Sequence, residues 1–186
     1  MLLIGFGNKA RHGKDTACEA IVNHYNALRE RSYKHGLISK EPRVQQFRFA
    51  EALYDEARTL HGMIGKDAPL LQRIGSERRA QDEFYWVKQV FNQIERSQPD
   101  VALISDVRYL NEANFIKGVG GYLVNVARLN ADGTPYVADD RPANHPSEVE
   151  LDGYNWDYRI IAHTGEAVVV SEVAVTIVEY LRGLHA

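Results

Sequence analysis

Apolar and polar positions along this chain follow two periods, and the switches between them mark out the elements. Leu2-Leu3-Ile4 is a continuous apolar run that ends in Gly5 and Gly7, as expected of a buried parallel strand feeding a tight loop. From Lys14 to Arg31, Ala17, Ala20, Ile21, Tyr25 and Leu28 recur at helical spacing. Residues 32–45 are polar and irregular, with Pro42. Gln46-Phe47-Arg48-Phe49 alternates and predicts a second strand, followed by a helix from Ala50 to His61. Gly62 to Pro69 predicts a loop, and Leu70 to Ile94 reads as two helical pieces broken near Gly75-Ser76. Beyond the turn Gln98-Pro99-Asp100, Val101-Ala102-Leu103-Ile104 predicts a third strand. Asn111 to Lys117 predicts a short helix stopped by Gly118, Gly120 and Gly121, and Tyr122 to Val126 a fourth strand. Residues 129–150, rich in Asp, Asn, Pro and Gly, predict a long functional loop. Tyr158 to Ala162 is the last predicted strand. Ala167 to Leu184 is an amphipathic helix with Val170, Val173, Ile177 and Leu181 on one face.

Strands alternating with helices predict an α/β fold with a doubly wound parallel sheet. Ligands of such sheets bind at the carboxyl ends of the strands. Three segments fall there: the Gly7–Thr16 loop, Asp106-Val107-Arg108, and the loop after Val126. A length of 186 residues fits one domain with a full core. The net charge of −3 comes without any lysine/arginine block, so no nucleic acid polymer is expected as partner. Cys18, the one cysteine, excludes a disulfide framework within the chain and points to a reducing, cytoplasmic compartment. Early in the first helix, it reads as a buried structural thiol. The apolar start is too short for a signal-peptide core and no stretch approaches a membrane span, so no membrane partner is expected. The seven histidines lack ligand spacing, which argues against zinc.

The chemistry concentrates in Gly5-Phe6-Gly7-Asn8-Lys9-Ala10-Arg11-His12-Gly13-Lys14-Asp15-Thr16. A phosphate-binding loop needs a strand, inward-pointing amides, a Gly-Lys pair and a helix opening directly afterwards. All are present. The glycine expected five residues before Gly13 is Asn8, the non-glycine residue that best tolerates left-handed angles. Asp15 stands where Ser or Thr normally touches magnesium, and a carboxylate is also a good magnesium ligand. Asn8, Arg11, His12, Gly13, Lys14, Asp15 and Thr16 are therefore the candidates for holding ATP. Asp15, Thr16 and Asp106 are the candidates for Mg2+.

Gly13-Lys14-Asp15-Thr16, with basic residues just before it, resembles the loop of phage-type deoxynucleoside monophosphate kinases. Four further segments match that family in order. They are Phe49-Ala50-Glu51-Ala52-Leu53; Leu71-Gln72-Arg73-Ile74-Gly75-Ser76 with Trp86 downstream; Ile104 to Ala113 as an Asp-x-Arg-x-x-x-Glu-Ala element; and His145-Pro146-Ser147-Glu148 near the lid. The resemblance implies a nucleoside-monophosphate-kinase-like P-loop fold, ATP and magnesium, and a deoxynucleoside monophosphate as acceptor. It implies one kinase domain over residues 1–186, with an acceptor-binding helical insertion at about 50–98 and a lid at about 129–150. Asn8, Tyr54 and Leu70 depart from the family pattern.

The second candidate site is Asp106 and Arg108, two apart after an apolar strand and so on one side of it. Arg108 would bind a phosphate; the alternative is an ion pair capping the strand end. Leu53, Arg73, Gly75, Ser76, Trp86, Asp106, Arg108 and Glu112 are the candidates for the acceptor. Trp86 would stack on the base or pack in the core, and Glu112 would touch the acceptor or lie solvated in a first helical turn. Arg78 and Arg79 join Arg73 as candidates for the acceptor phosphate. Lys14, Arg108, Arg128 and Arg141 are the candidate catalytic cations, the last two flanking the lid loop; His145 reads as a loop anchor. Two other readings stay open: a small P-loop kinase of phosphomevalonate- or dephospho-CoA-kinase type, and a nucleotide-binding protein without turnover. A homodimer is compatible with the sequence.

Overall fold

The computed structural model describes residues 1–139 and 142–185. The elements run β1 (Leu2–Gly7), α1 (Lys14–Lys34), β2 (Val44–Phe47), α2 (Phe49–His61), α3 (Ala68–Gln81), α4 (Tyr85–Ser97), β3 (Val101–Val107), α5 (Leu110–Gly118), β4 (Tyr122–Leu129), α6 (Pro146–Val149), β5 (Tyr158–His163) and α7 (Ala167–Leu184). The fold is α/β, a five-stranded parallel sheet in the order β2-β3-β1-β4-β5, flanked by helices and consistent with a doubly wound P-loop architecture. β1 pairs in parallel with β3 (Leu2 beside Val101) and with β4 (Ile4 beside Tyr122), and β4 pairs in parallel with β5. β1 is thus central. The chain builds one side of the sheet with β2 and β3, then crosses to β4 and β5. The carboxyl end of β1 is the switch point where such sheets bind ligands.

The described chain divides into two compact units, Met1–Gln46 with Pro99–Ala186, and Phe47–Gln98. In the first, α1 and α7 cover one face of the sheet. Ala17, Cys18, Ile21 and Tyr25 of α1 and Val170, Ala174, Ile177, Val178 and Leu181 of α7 join Ile4, Phe6, Leu103, Val124, Val126 and Ile160 in one core. Cys18 is buried, as its spacing suggested. Val173, expected on the buried face of α7, is 37% exposed. Ala174 and Val178 take that seam instead, because a 3.6-residue period drifts across a fixed face. The second unit consists of α2, α3 and α4.

Two boundaries differ from expectation. β2 begins at Val44, and Phe49, predicted at the end of a strand, opens α2 after Arg48 in extended geometry. Only half of an alternating four-residue pattern was a strand, and four residues are too few to fix its phase. α3 runs unbroken through Gly75-Ser76 and ends at Gln81. The break between the helical pieces lies at Asp82–Phe84, where Asp82 Oδ1 accepts the Phe84 amide at 3.0 Å.

Gly7 shows why β1 ends in glycine. A Cβ there would lie 2.3 Å from Trp156 Cη2 and 2.9 Å from the Val107 carbonyl, contacts no real Cβ sustains. Trp156 is 8% exposed and cannot swing away freely. Gly7→Ala should therefore cost about 3 kcal/mol or more, of order 10 °C in Tm, as overpacking against a rigid ring does. Thermal unfolding followed by circular dichroism checks this, and an unchanged Tm would mean that Trp156 is not fixed over β1.

Candidate functional site

Between β1 and α1 the backbone is left-handed at Asn8 (φ 110°), Arg11 (φ 59°) and Gly13 (φ 93°). Left-handed residues interleaved with ordinary ones are how a chain forms a concave anion nest. Asn8 tolerates its angle, as expected of asparagine, and adds what glycine could not. Its Nδ2 donates to Asn125 Oδ1 at 3.2 Å and to the Val126 carbonyl at 3.1 Å, tying the start of the loop to β4.

The loop opens onto a cavity of about 250 Å3 lined by Arg11, His12, Gly13, Lys14, Asp15 and Thr16, with Ser105, Asp106 and Arg108 from the end of β3. Loop, helix start and strand end converge here, so the two segments singled out separately in the sequence form one site. Lys14 is only 5% exposed and its Nζ donates to the Lys9 carbonyl. Burial, and then the charge of Arg108, push its pKa down from 10.5 to about 7, against the opposing pull of Glu148, Asp106 and Asp15. A cation held so far below its ordinary pKa gains strongly from an arriving anion.

Asp15 is exposed at the first turn of α1, a favourable place for a carboxylate with or without a metal. Its Oδ1 accepts from Ser105 Oγ at 3.0 Å and from Gln46 Nε2 at 3.3 Å. Gln46 also donates to Ser105 Oγ at 2.8 Å. Two carboxylates, Asp15 and Asp106, with the Thr16 and Ser105 hydroxyls give the cavity an all-oxygen donor set. No cluster of three or more acidic, histidine or cysteine side chains that could hold a metal alone occurs among the described residues.

His12 is 4% exposed, an unusual position for a histidine. The Arg128 amide donates to its Nδ1 at 3.1 Å, which makes Nε2 the protonated nitrogen, 3.0 Å from the Tyr136 carbonyl. Burial pushes its pKa below 6.5. Neutral His12 thus fastens the loop to the chain after β4. Arg128 is stacked 3.9 Å from the Tyr136 ring centroid, with Nε on Thr164 Oγ1 at 2.9 Å. It does not line the cavity. Arg141 lies outside the described residues.

Arg108, one residue past β3, lines the cavity and pairs through Nη1 with Glu148 Oε1 at 2.7 Å. Its backbone amide donates to Glu112 Oε2 at 2.8 Å, as does that of Tyr109 at 3.1 Å. Glu112 is therefore a buried cap, 3% exposed, that fixes the strand-to-helix corner, rather than a solvated or acceptor-facing side chain. Glu148 was missed as a functional position. Its signal was the fourth residue of the His145–Glu148 match, of which only the histidine was weighed. His145 caps α6 instead, its Nδ1 accepting the Ser147 amide at 3.2 Å. Gln46 and Ser105 were also missed; Ser105 carried a signal, a polar residue closing the apolar run Val101–Ile104, and Gln46 carried none.

In the helical unit, three expectations change. Gly75 and Ser76 lie inside α3, where backbone amides serve the helix and cannot open a phosphate site as a turn would. Trp86 is 2% exposed with its indole N–H 3.4 Å from the Gly75 carbonyl, so it packs the unit and has no face to offer a base. Arg78 is committed to buried Glu56, Nε to Oε1 at 2.6 Å, and Glu56 also accepts from the Tyr85 hydroxyl at 2.6 Å. Arg79 Nη1 donates to the Gly75 carbonyl at 3.3 Å. Arg73 remains exposed, paired with Glu77 at 3.4 Å, and Leu53 is half-buried.

No helix among the described residues is long and apolar enough to cross a membrane. No protein-family model matches the chain. It is similar to a protein of Acanthamoeba polyphaga mimivirus named "Putative deoxynucleotide monophosphate kinase", 53% identical over 49 residues, which are 26% of this chain and 21% of that one. It is also similar to the uncharacterized protein ORF76 of Ictalurid herpesvirus 1 (strain Auburn), 26% identical over 160 residues, which are 82% of this chain and 57% of that one. The chain thus spans about a fifth and somewhat over half of the length of these relatives.

Proposed function

We propose that this chain transfers the γ-phosphoryl group of ATP to a deoxynucleoside monophosphate. The observation that carries the reading is the shared cavity at the carboxyl ends of β1 and β3. Buried Lys14, in the first turn of a helix that follows a left-handed loop, faces the same space as Arg108 and Asp106. The short, high-identity likeness to the mimivirus protein supports the same class.

Phosphoryl transfer needs little covalent chemistry from the protein; it needs positioning and charge stabilisation. The amides and the helix start around Gly13 to Thr16 hold the ATP phosphates, with Arg11 and His12 forming the loop wall. Lys14 is pre-positioned against the oxygens on which charge develops, and Arg108 holds the phosphate of the acceptor or the passing γ-phosphoryl group. Magnesium, when bound, neutralises phosphate charge, and Asp15, Thr16 and Asp106 would hold it. The unit Phe47–Gln98 is assigned to acceptor binding, with Leu53 and Arg73 as its candidate contacts. The segment 129–150, with Arg128 just before it and Arg141 within it, is assigned as the lid, hinged on its end at residues 145–150.

Coupled ADP release tests the reading, with ATP, magnesium and each deoxynucleoside and ribonucleoside monophosphate in turn. At least one deoxynucleoside monophosphate should stimulate release well above the rate with water. Stimulation by a non-nucleotide phosphate alone, or by no acceptor at all while ATP binds, would sink the proposal.

A further inference from the structure

Three acidic side chains at alternate positions, Glu148, Glu150 and Asp152, reach groups around the candidate phosphate cavity. Glu148 Oε2 accepts the Ala10 amide at 2.7 Å while its Oε1 pairs with Arg108 Nη1 at 2.7 Å. Glu150 Oε1 accepts the Leu110 amide at 2.9 Å. Asp152 Oδ1 pairs with Lys9 Nζ at 3.0 Å. Lys9 and Ala10 belong to the phosphate loop, and Arg108 and Leu110 to the corner between β3 and α5. Glu148 is the one of the three that grips both, and its side chain is 6% exposed.

Simple electrostatics argues against a carboxylate there. A buried negative charge next to a site for polyphosphate lowers the local potential and opposes the ligand. Its geometry offers a compensation. Arg108 Nη1 is occupied by Glu148 and, at 3.4 Å, by the Ser147 carbonyl. Its backbone amide is occupied by Glu112. Nε and Nη2 have no hydrogen bond among the described residues and are the part of the fork left for an anion. The same carboxylate fixes the Ala10 amide on the crown of the loop. We infer that Glu148 is a positioning residue: it sets Arg108 and the crown of the phosphate loop in one fixed geometry, with residues 145–152 acting as the clip that carries it. The inference rests on the proposed role of Arg108 at a phosphate.

Charge and positioning predict opposite signs. Glu148→Gln removes a negative charge beside the cavity, so if charge alone mattered ATP would bind more tightly and turnover would hold or rise. As a positioning residue, Glu148→Gln should lower kcat/KM for the acceptor between about 10- and 100-fold, as small misplacements do. Glu148→Asp keeps the charge but is one methylene short of spanning both partners, and should not restore the rate. Combined with Arg108→Ala, Glu148→Gln should cost less than it does alone, because part of its effect runs through Arg108 and only the hold on the Ala10 amide remains to be lost. Tighter ATP binding with unchanged turnover, full activity of Glu148→Asp, or multiplicative losses in the double variant would each overturn the inference. Hydrogen exchange at the Ala10 amide of the unsubstituted protein reads the clip without any variant and without turnover. Slow exchange is expected, and fast exchange overturns it. An unsubstituted protein that binds ATP and turns over no acceptor would sink the proposed function and leave this exchange measurement to decide the clip.

Discussion

Lys14→Met should cut phosphoryl transfer by about 10²–10³ and, at neutral pH, make the nucleotide-free protein more stable. The rate loss follows from the proposed role of Lys14 as a charge-assisted donor to phosphate oxygens on which negative charge develops. The stability gain follows from burial. Lys14 has its pKa pushed down from 10.5 to about 7, chiefly by burial and then by Arg108. Below pH 7 both folded and unfolded chains carry the Lys14 proton, and the folded state bears the whole cost of a buried ammonium, on the order of a few kcal/mol. Between pH 7 and 10.5 the unfolded chain binds the proton that the folded one has released, so native stability rises with pH. Above 10.5 both are neutral and the cost is gone. Methionine, similar in length and uncharged, escapes the cost at every pH. Its lead in Tm should therefore be largest at pH 6–7, shrink as pH rises, and reverse slightly near pH 10.5, because the lost bond to the Lys9 carbonyl costs about 1 kcal/mol throughout. Thermal melts of both proteins across that range, beside coupled ADP release, check both halves. A methionine variant less stable at pH 7, or one that keeps its turnover, would contradict the buried cation.

The loop was legible because its chemistry is local. A strand, a Gly-Lys pair and an immediate helix are contiguous in sequence, and the left-handed angle at Asn8 follows from the side chain itself. The pairing of Asp106 and Arg108 with the loop was legible only through the topological rule for parallel sheets, which brings the ends of β1 and β3 together. Glu148 was not legible as a partner of Arg108. Forty residues separate the two, and nothing in a carboxylate's spacing says which distant cation it will reach. The helical segment 68–97 failed for a different reason. Gly75 is a helix breaker by propensity, worth about 1 kcal/mol against alanine. Yet it sits buried inside an unbroken α3, where Leu71 and Ile74 beside it pack the helix down, and burial of that face outweighs the propensity of one residue. Asp82, the C-cap of α3, whose carboxylate accepts the amide of Phe84 just before α4, carried the true boundary. Trp86 stayed open between base stacking and core packing because an aromatic in a family-like position carries no sign of its own burial.

Arg108→Ala should lower kcat/KM for the acceptor by about 10³-fold while changing the Kd for ATP less than about tenfold. The guanidinium lines the cavity with Lys14, and an arginine placed on a transferring phosphoryl group contributes on that scale. ATP keeps the loop amides, the helix start and Lys14, so its ground-state binding depends less on this one cation. Truncation also leaves Glu148 as a nearly buried carboxylate without its cation, which should cost about 1–3 kcal/mol of stability. Arg108→Lys should recover part of the stability and little of the rate. A single ammonium can pair with Glu148 or reach into the cavity, whereas the guanidinium presents separate nitrogens to each. Arg73→Ala supplies the contrast. Arg73 is exposed and its pair with Glu77 is an i,i+4 contact worth a few tenths of a kcal/mol, so its loss leaves the fold intact and any kinetic effect reports on the acceptor directly. Initial-rate kinetics with acceptor and ATP varied in turn separate the two arginines. A 10³-fold loss at position 108 with near-native rates at 73 keeps the acceptor phosphate at the end of β3. The reverse pattern moves it to α3 and leaves Arg108 as the structural partner of Glu148.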